Sequence, residues 1–140
     1  LRLIRDHMRN RGPDGKGEWY SSTHRMGLAH RRLSIIDLDE RATQPMVSED
    51  GRYVISFNGE IYNFKQLAED NSITLTTDSD CEIILHLYQK YGIEFTLSIL
   101  DGVFAFVLYD KNINKVIIAR DPYGVRPLYY FNENNIIPKL

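Results

Sequence analysis

The stretch Gly102–Asp110, GVFAFVLYD, constrains this chain more than any other. It is continuously apolar and shows no alternation, which is the pattern of a central strand buried on both faces. A polar turn at Lys111–Asn114 leads into NKVIIARD, so the two segments read as a hairpin. The other strand and helix candidates are both numerous and both apolar on one side. A single layer of sheet cannot cover them all. The chain therefore reads as α+β with strong antiparallel content.

Around this hairpin the elements follow from local pattern. LRLIRDHMRN reads as the middle of an amphipathic helix, with Leu1, Ile4 and Met8 on one stripe, stopping at Gly12-Pro13. RGPDGKG reads as a loop, and Trp19–Asp37 holds two strands. DLDERATQPMVSEDG is a second loop. RYVISF is a strand with Val54, Ser56 and Asn58 on one face and Ile55 and Phe57 on the other. A short helix is expected over about Ile61–Glu69. SDCEIILHLYQKYG is the clearest helix, with Ser79 and Glu82 spaced as a capping box and Gly92 placed to end it. IEFTLSIL forms a further helical segment, and PLYYF a last strand.

Composition bounds the function. The chain has 140 residues, enough for one domain with a core, and its formal net charge of -2 gives no general attraction to nucleic acid or acidic membranes. No apolar run reaches the roughly 18 residues of a membrane span. Cys81 is the one cysteine, so no disulfide forms within the chain, which fits a reducing, cytoplasmic setting. Leu1 opens in mid-helix and NNIIPKL reads as a strand cut short, so a fragment of a longer protein, truncated at both ends, is expected.

Several candidate chemistries fail on spacing. Cys81 sits in the first helical turn, but His86 is not on its face, so a packed small side chain is the better reading. His7, His24, His30 and His86 lack a paired-ligand spacing, and no metal site is expected. Asp37–Glu40 lacks the ligand pattern of a calcium loop, and Gly12, Gly15 and Gly17 do not lead into a helix as a phosphate cradle would. What remains is polar: Asn58-Gly59-Glu60 where a strand leaves off, Arg32 in HRRLSIID, and Asp80 at the opening of the long helix. Each also has a plain reading, as a turn, a surface cation and a favourable charge at a helix N-terminus.

Taken in order, AHRRLSIIDL, QPM, FNGEIYNF, SDCEIILHLY, LDGVFAFVLYD and ARDPYGVRPLYY resemble the class II glutamine amidotransferase domain. The glutaminase domain of glutamine-hydrolysing asparagine synthetases is the nearest pattern. The resemblance runs from RNRGPDG to PLYYF, making residues 1–140 a partial type 2 amidotransferase domain. It implies a four-layer α/β/β/α sandwich of the N-terminal-nucleophile hydrolase type, with two antiparallel sheets. It also implies hydrolysis of L-glutamine to glutamate and ammonia, with the ammonia passed to a C-terminal synthetase domain that uses ATP and magnesium to activate aspartate. No cofactor is implied in this domain itself, and a homodimer of the larger protein is compatible with the family.

By the same resemblance, Arg32 clamps the glutamine α-carboxylate and the backbone of Leu33, Ser34, Ile35 and Ile36 lines the pocket. Asp80 with Glu60 holds the α-ammonium, and the Asn58 amide and Gly59 N–H form the oxyanion hole. RGPDG is expected to order the wall near the nucleophile, and RDPYGVRPLYY the structure about the ammonia exit. The chain departs from the family in one respect. The family nucleophile is a cysteine at the first position of the mature protein, and this chain begins with Leu1. The chain alone is therefore expected to be inactive. A non-catalytic glutamine-binding domain, or a glutaminase domain serving another acceptor, are the competing readings.

Overall fold

Strand β5 (Gly102–Asp110) lies between β4 (Tyr53–Ile61) and β6 (Lys115–Arg120), pairing antiparallel with both. The hairpin read from the sequence is present, with its turn at Lys111–Asn114. The structure is a computed structural model that describes residues 1–32 and 43–131. A two-residue strand β3 (Met46–Val47) joins the far edge of β4, giving the order β3-β4-β5-β6. A second sheet pairs β1 (Gly15–Tyr20) with β2 (Gly27–Arg32).

The four-stranded sheet buries one face under helices. Tyr53, Ile55, Phe57, Ile61, Phe104, Phe106, Leu108 and Ile117 pack there against α2 (Phe64–Asp70) and α3 (Glu82–Tyr91). On α3, Ile83, Ile84 and Leu87 are completely buried, as the one-turn spacing of an apolar stripe requires. Each such side chain contributes about 1.5–3 kcal/mol by leaving water. Gly92, at φ +81, ends the helix and starts α4 (Ile93–Ile99).

The opposite face looks toward the smaller sheet. Trp19 of β1 meets Tyr109 of β5 with ring centroids 5.8 Å apart, and His30 of β2 lies 3.4 Å from the Ser56 hydroxyl of β4. Helix α1 (Arg2–His7) packs on the outer side of that sheet, where Arg5 bonds Glu18 and the Arg31 guanidinium meets Asp6 at 2.8 Å. The layers thus run helix, sheet, sheet, helices, as expected. Among the described residues no helix is long and apolar enough to cross a membrane.

Several local readings are corrected. The stripe Leu1, Ile4 and Met8 on α1 is exposed and Arg5 is its buried residue, because an ion-paired network, not an apolar contact, docks this helix. The second half of RGPDGKG is strand, since Gly15 and Gly17 let β1 run close under its neighbours. The capping box is not formed. Glu82 instead turns its carboxylate back to the N–H and hydroxyl groups of Thr76 and Thr77 at 2.6–2.8 Å. PLYYF is not strand in the described residues 127–131. Strand β4 does not stop at Phe57; it continues through Asn58, Gly59 and Glu60 to Ile61, and the helix begins only at Phe64.

Candidate functional site

The continuation of β4 creates the site. In an antiparallel strand, alternate residues turn their N–H and C=O groups to the same edge. On β4 the residues Ile55, Phe57, Gly59 and Ile61 face the β3 edge, but β3 covers only Val54 and Ile55. Beyond it, two side chains take the place of a neighbouring strand. Gln44 Oε1 accepts the Phe57 N–H at 2.5 Å, and Asp80 Oδ2 accepts the Ile61 N–H at 2.6 Å. Gly59 lies between them. Its cross-strand partner Phe104 spends its own N–H and C=O on Asp121, on the far side of β5, so Gly59 and Phe104 form a pair that exchanges no hydrogen bond. The Gly59 N–H therefore points out at the open edge, and none of the described side chains is bonded to it.

Only glycine fits at this position. Gly59 has φ +154, and a Cβ there would come within 2.1 Å of the Val103 carbonyl oxygen and 2.6 Å of Phe104 Cα. The Asn-Gly dipeptide is not a turn, and neither is it at the strand end. It sits within the strand, where close approach of β5 demands the missing side chain. Asn58 is exposed, on the face of β4 that carries Ser56. A side-chain amide and an adjacent free N–H are two neutral donors, of the kind that stabilise a developing oxyanion.

Asp80 is brought to this edge by the loop ahead of α3 and is half-buried there. Burial, partly offset by the Ile61 N–H and reinforced by the nearby Glu60 charge, holds its carboxyl above the usual range. Arg32 ends β2 on the face that bears His30. His30 in turn meets Ser56, two residues before Asn58 on the facing sheet. Burial, with the neighbouring Arg32 charge, pushes the His30 imidazole down to about 4, so it is neutral at pH 7. The structure thus gathers Asn58, Gly59, Glu60 and Asp80 at one edge and sets Arg32 on the sheet facing it. Leu33, Ser34, Ile35 and Ile36 lie outside the described residues, as does Asp37–Glu40.

Cys81 takes no part. It is fully buried between Met46 and Ser79, and burial pushes its thiol up to about 12. Two residues that do shape the edge were not singled out from sequence. Gln44 stands in the sequence only as the first residue of QPM; a glutamine before proline carries no signal of which backbone group it will meet. Asp121 is 1% exposed and accepts N–H bonds from Phe104, Tyr123, Val125 and Arg126. Burial opposes its charge, but these donors prevail and hold its carboxyl below the usual range. The RDPYGVR loop is thereby tied to the β5 residue opposite Gly59.

A family model described as a glutamine amidotransferase domain matches residues 1–138. Among curated relatives, Amidase chry2 of Gibberella zeae is 45% identical over 134 residues, covering 93% of this chain and 20% of the relative. Asparagine synthetase [glutamine-hydrolyzing] 2 of Bacillus subtilis is 45% identical over 131 residues, covering 93% and 17%. A probable asparagine synthetase [glutamine-hydrolyzing] of Dictyostelium discoideum is 46% identical over 130 residues, covering 90% and 23%. The chain thus spans about a fifth of the length of these relatives. With two antiparallel sheets between helices and a family match over nearly its whole length, this chain belongs to the glutamine amidotransferase domain family.

Proposed function

We propose that this domain is the glutaminase part of an asparagine synthetase-type enzyme, hydrolysing L-glutamine to glutamate and ammonia for the amidation of aspartate. The observation that carries this reading is the open Gly59 N–H, held between two capped neighbours, one of them capped by Asp80. In this reading Arg32 receives the α-carboxylate through its two-pronged guanidinium. Asp80 and Glu60 receive the α-ammonium. The side-chain carbonyl of glutamine then lies against Asn58 and Gly59. Attack by a thiolate on that carbonyl carbon moves its π electrons onto oxygen, where the two donors stabilise them. Collapse, as the departing nitrogen takes up a proton, expels ammonia and leaves a thioester, which water cleaves to glutamate with return of the thiol.

The thiol is not Cys81, whose burial and raised pKa deny it both access and ionisation. We assign no cofactor to this domain; ATP and magnesium serve the separate activation of aspartate, for which the C-terminal synthetase domain is the partner. The relative named an amidase supports a second reading, in which the same glutaminase site serves another acceptor.

The test is glutamate and ammonia release from glutamine by the natural gene product, with Arg32→Ala compared to Arg31→Ala. Arg31 lies on the outer face of β2, bonded to Asp6 and the Arg5 carbonyl. Arg32→Ala is expected to raise KM for glutamine by about 100-fold or more, the cost of leaving a carboxylate without its paired cation. Arg31→Ala should leave it within a few fold. Equal effects, or none, refute the assignment.

A further inference from the structure

We infer that Gln44 is a positioning residue for the oxyanion-stabilising segment, its side-chain amide serving as the missing neighbour strand beside Gly59; this rests on the glutaminase reading above. Toward the site, the pairing strand β3 ends at Met46–Ile55 in its register with β4, leaving Phe57, Gly59 and Ile61 beyond its reach. An unpaired edge of this kind is free to twist or bulge. Gln44 Oε1 holds the Phe57 N–H, and Phe57 is anchored below by Phe106. The Phe57 peptide is two residues from the Gly59 donor, so whatever orients one orients the other.

The side chain of Gln44 is aimed by its own backbone. The Gln44 carbonyl crosses β1 directly over Gly17, where an added Cβ would lie 1.8 Å from that oxygen. Gly17 in turn pairs with His30 on the inner face. The glycine in β1 thus admits the Gln44 backbone between the sheets, and the amide reaches β4 from there. Only the carbonyl oxygen of the amide is used on β4. An isosteric side chain without an acceptor therefore removes the contact and little else, whereas glutamate retains it.

The experiment uses the natural gene product with Gln44→Met and Gln44→Glu, reading steady-state glutaminase kinetics and hydrogen exchange of the Phe57–Ile61 amides without glutamine. Expected for Gln44→Met is faster exchange at Phe57, a fall in kcat of about 10–100-fold, and KM within about threefold, since mispositioning of reacting groups affects the chemical step. Gln44→Glu should restore both readouts to within a few fold of wild type. If Gln44→Met does not fold, Gln44→Asn, which withdraws the acceptor by one methylene, carries the same expectation. Faster exchange with unchanged kcat, or equal losses in the Met and Glu variants, overturns the inference while leaving the glutaminase reading standing. A wild-type protein that neither binds nor hydrolyses glutamine overturns that reading instead, and the catalytic role of Gln44 with it.

Discussion

Gly59→Ala tests the most constrained point of the site. The substitution asks for two things that the strand pair does not offer. An L-residue must adopt φ +154, and a methyl group must occupy space 2.1 Å from the Val103 oxygen and 2.6 Å from Phe104 Cα. Both atoms are backbone in the central strand, so neither can swing aside. The conformational part costs about 1–3 kcal/mol, and overpacking a rigid neighbour a further 1–3 kcal/mol or so. At about 2.1 cal/mol/K per residue, unfolding 140 residues carries roughly 0.3 kcal/mol/K, so about 4 kcal/mol lowers Tm by some 13 °C. Gly92→Ala is the internal comparison, because Gly92 has φ +81 but nothing within 4 Å of an added Cβ. It incurs the conformational cost alone. Thermal melting followed by circular dichroism compares the two directly. Equal melting temperatures for Gly59→Ala and Gly92→Ala would refute the claim that close approach of β5 demands glycine at position 59.

Other outcomes follow from the charges. Asp80 has a raised folded pKa, so its contribution to stability is largest at acid pH and is lost as pH rises through that value. Asp80→Asn keeps an acceptor for Ile61 and should leave neutral-pH stability unchanged or higher, while weakening glutamine binding by about 100-fold in calorimetric titration. His30 has the opposite sign, because its folded pKa of about 4 lies below its ordinary value. Stability is intact above about 6.5 and falls by on the order of 3 kcal/mol as pH drops toward 4, and urea titrations of His30→Gln should show that slope flattened. Asp110 is completely buried against Arg52 through two bonds of 3.0 and 2.8 Å. Asp110→Ala strands a partly solvated guanidinium at the hairpin base, and a loss of about 1–3 kcal/mol in the same urea titrations is expected.

What the sequence determined by itself was the part governed by local chemistry. The unbroken apolar run of β5, the stripe of α3 and the glycine that ends it each follow from side-chain periodicity and backbone freedom. Ordered motifs likewise brought Arg32, Asn58, Gly59, Glu60 and Asp80 to attention together, although none could be weighted alone. Only the tertiary structure decided how the strand edge is used. Asn58-Gly59 looks like a turn in sequence because both residues favour turns, yet β5 supplies nine residues of pairing that hold them extended. Arg5 ends up buried on α1 while Leu3 and Ile4 are exposed, because its ion pair with Glu18, 13 residues away on β1, is a contact no periodicity encodes. The same holds for Gln44, Asp80 and Asp121, whose partners lie 13, 19 and 17 residues away. A polar side chain announces that it will accept a hydrogen bond; which orphaned N–H it meets is settled only when the sheets pack and one strand is left a partner short.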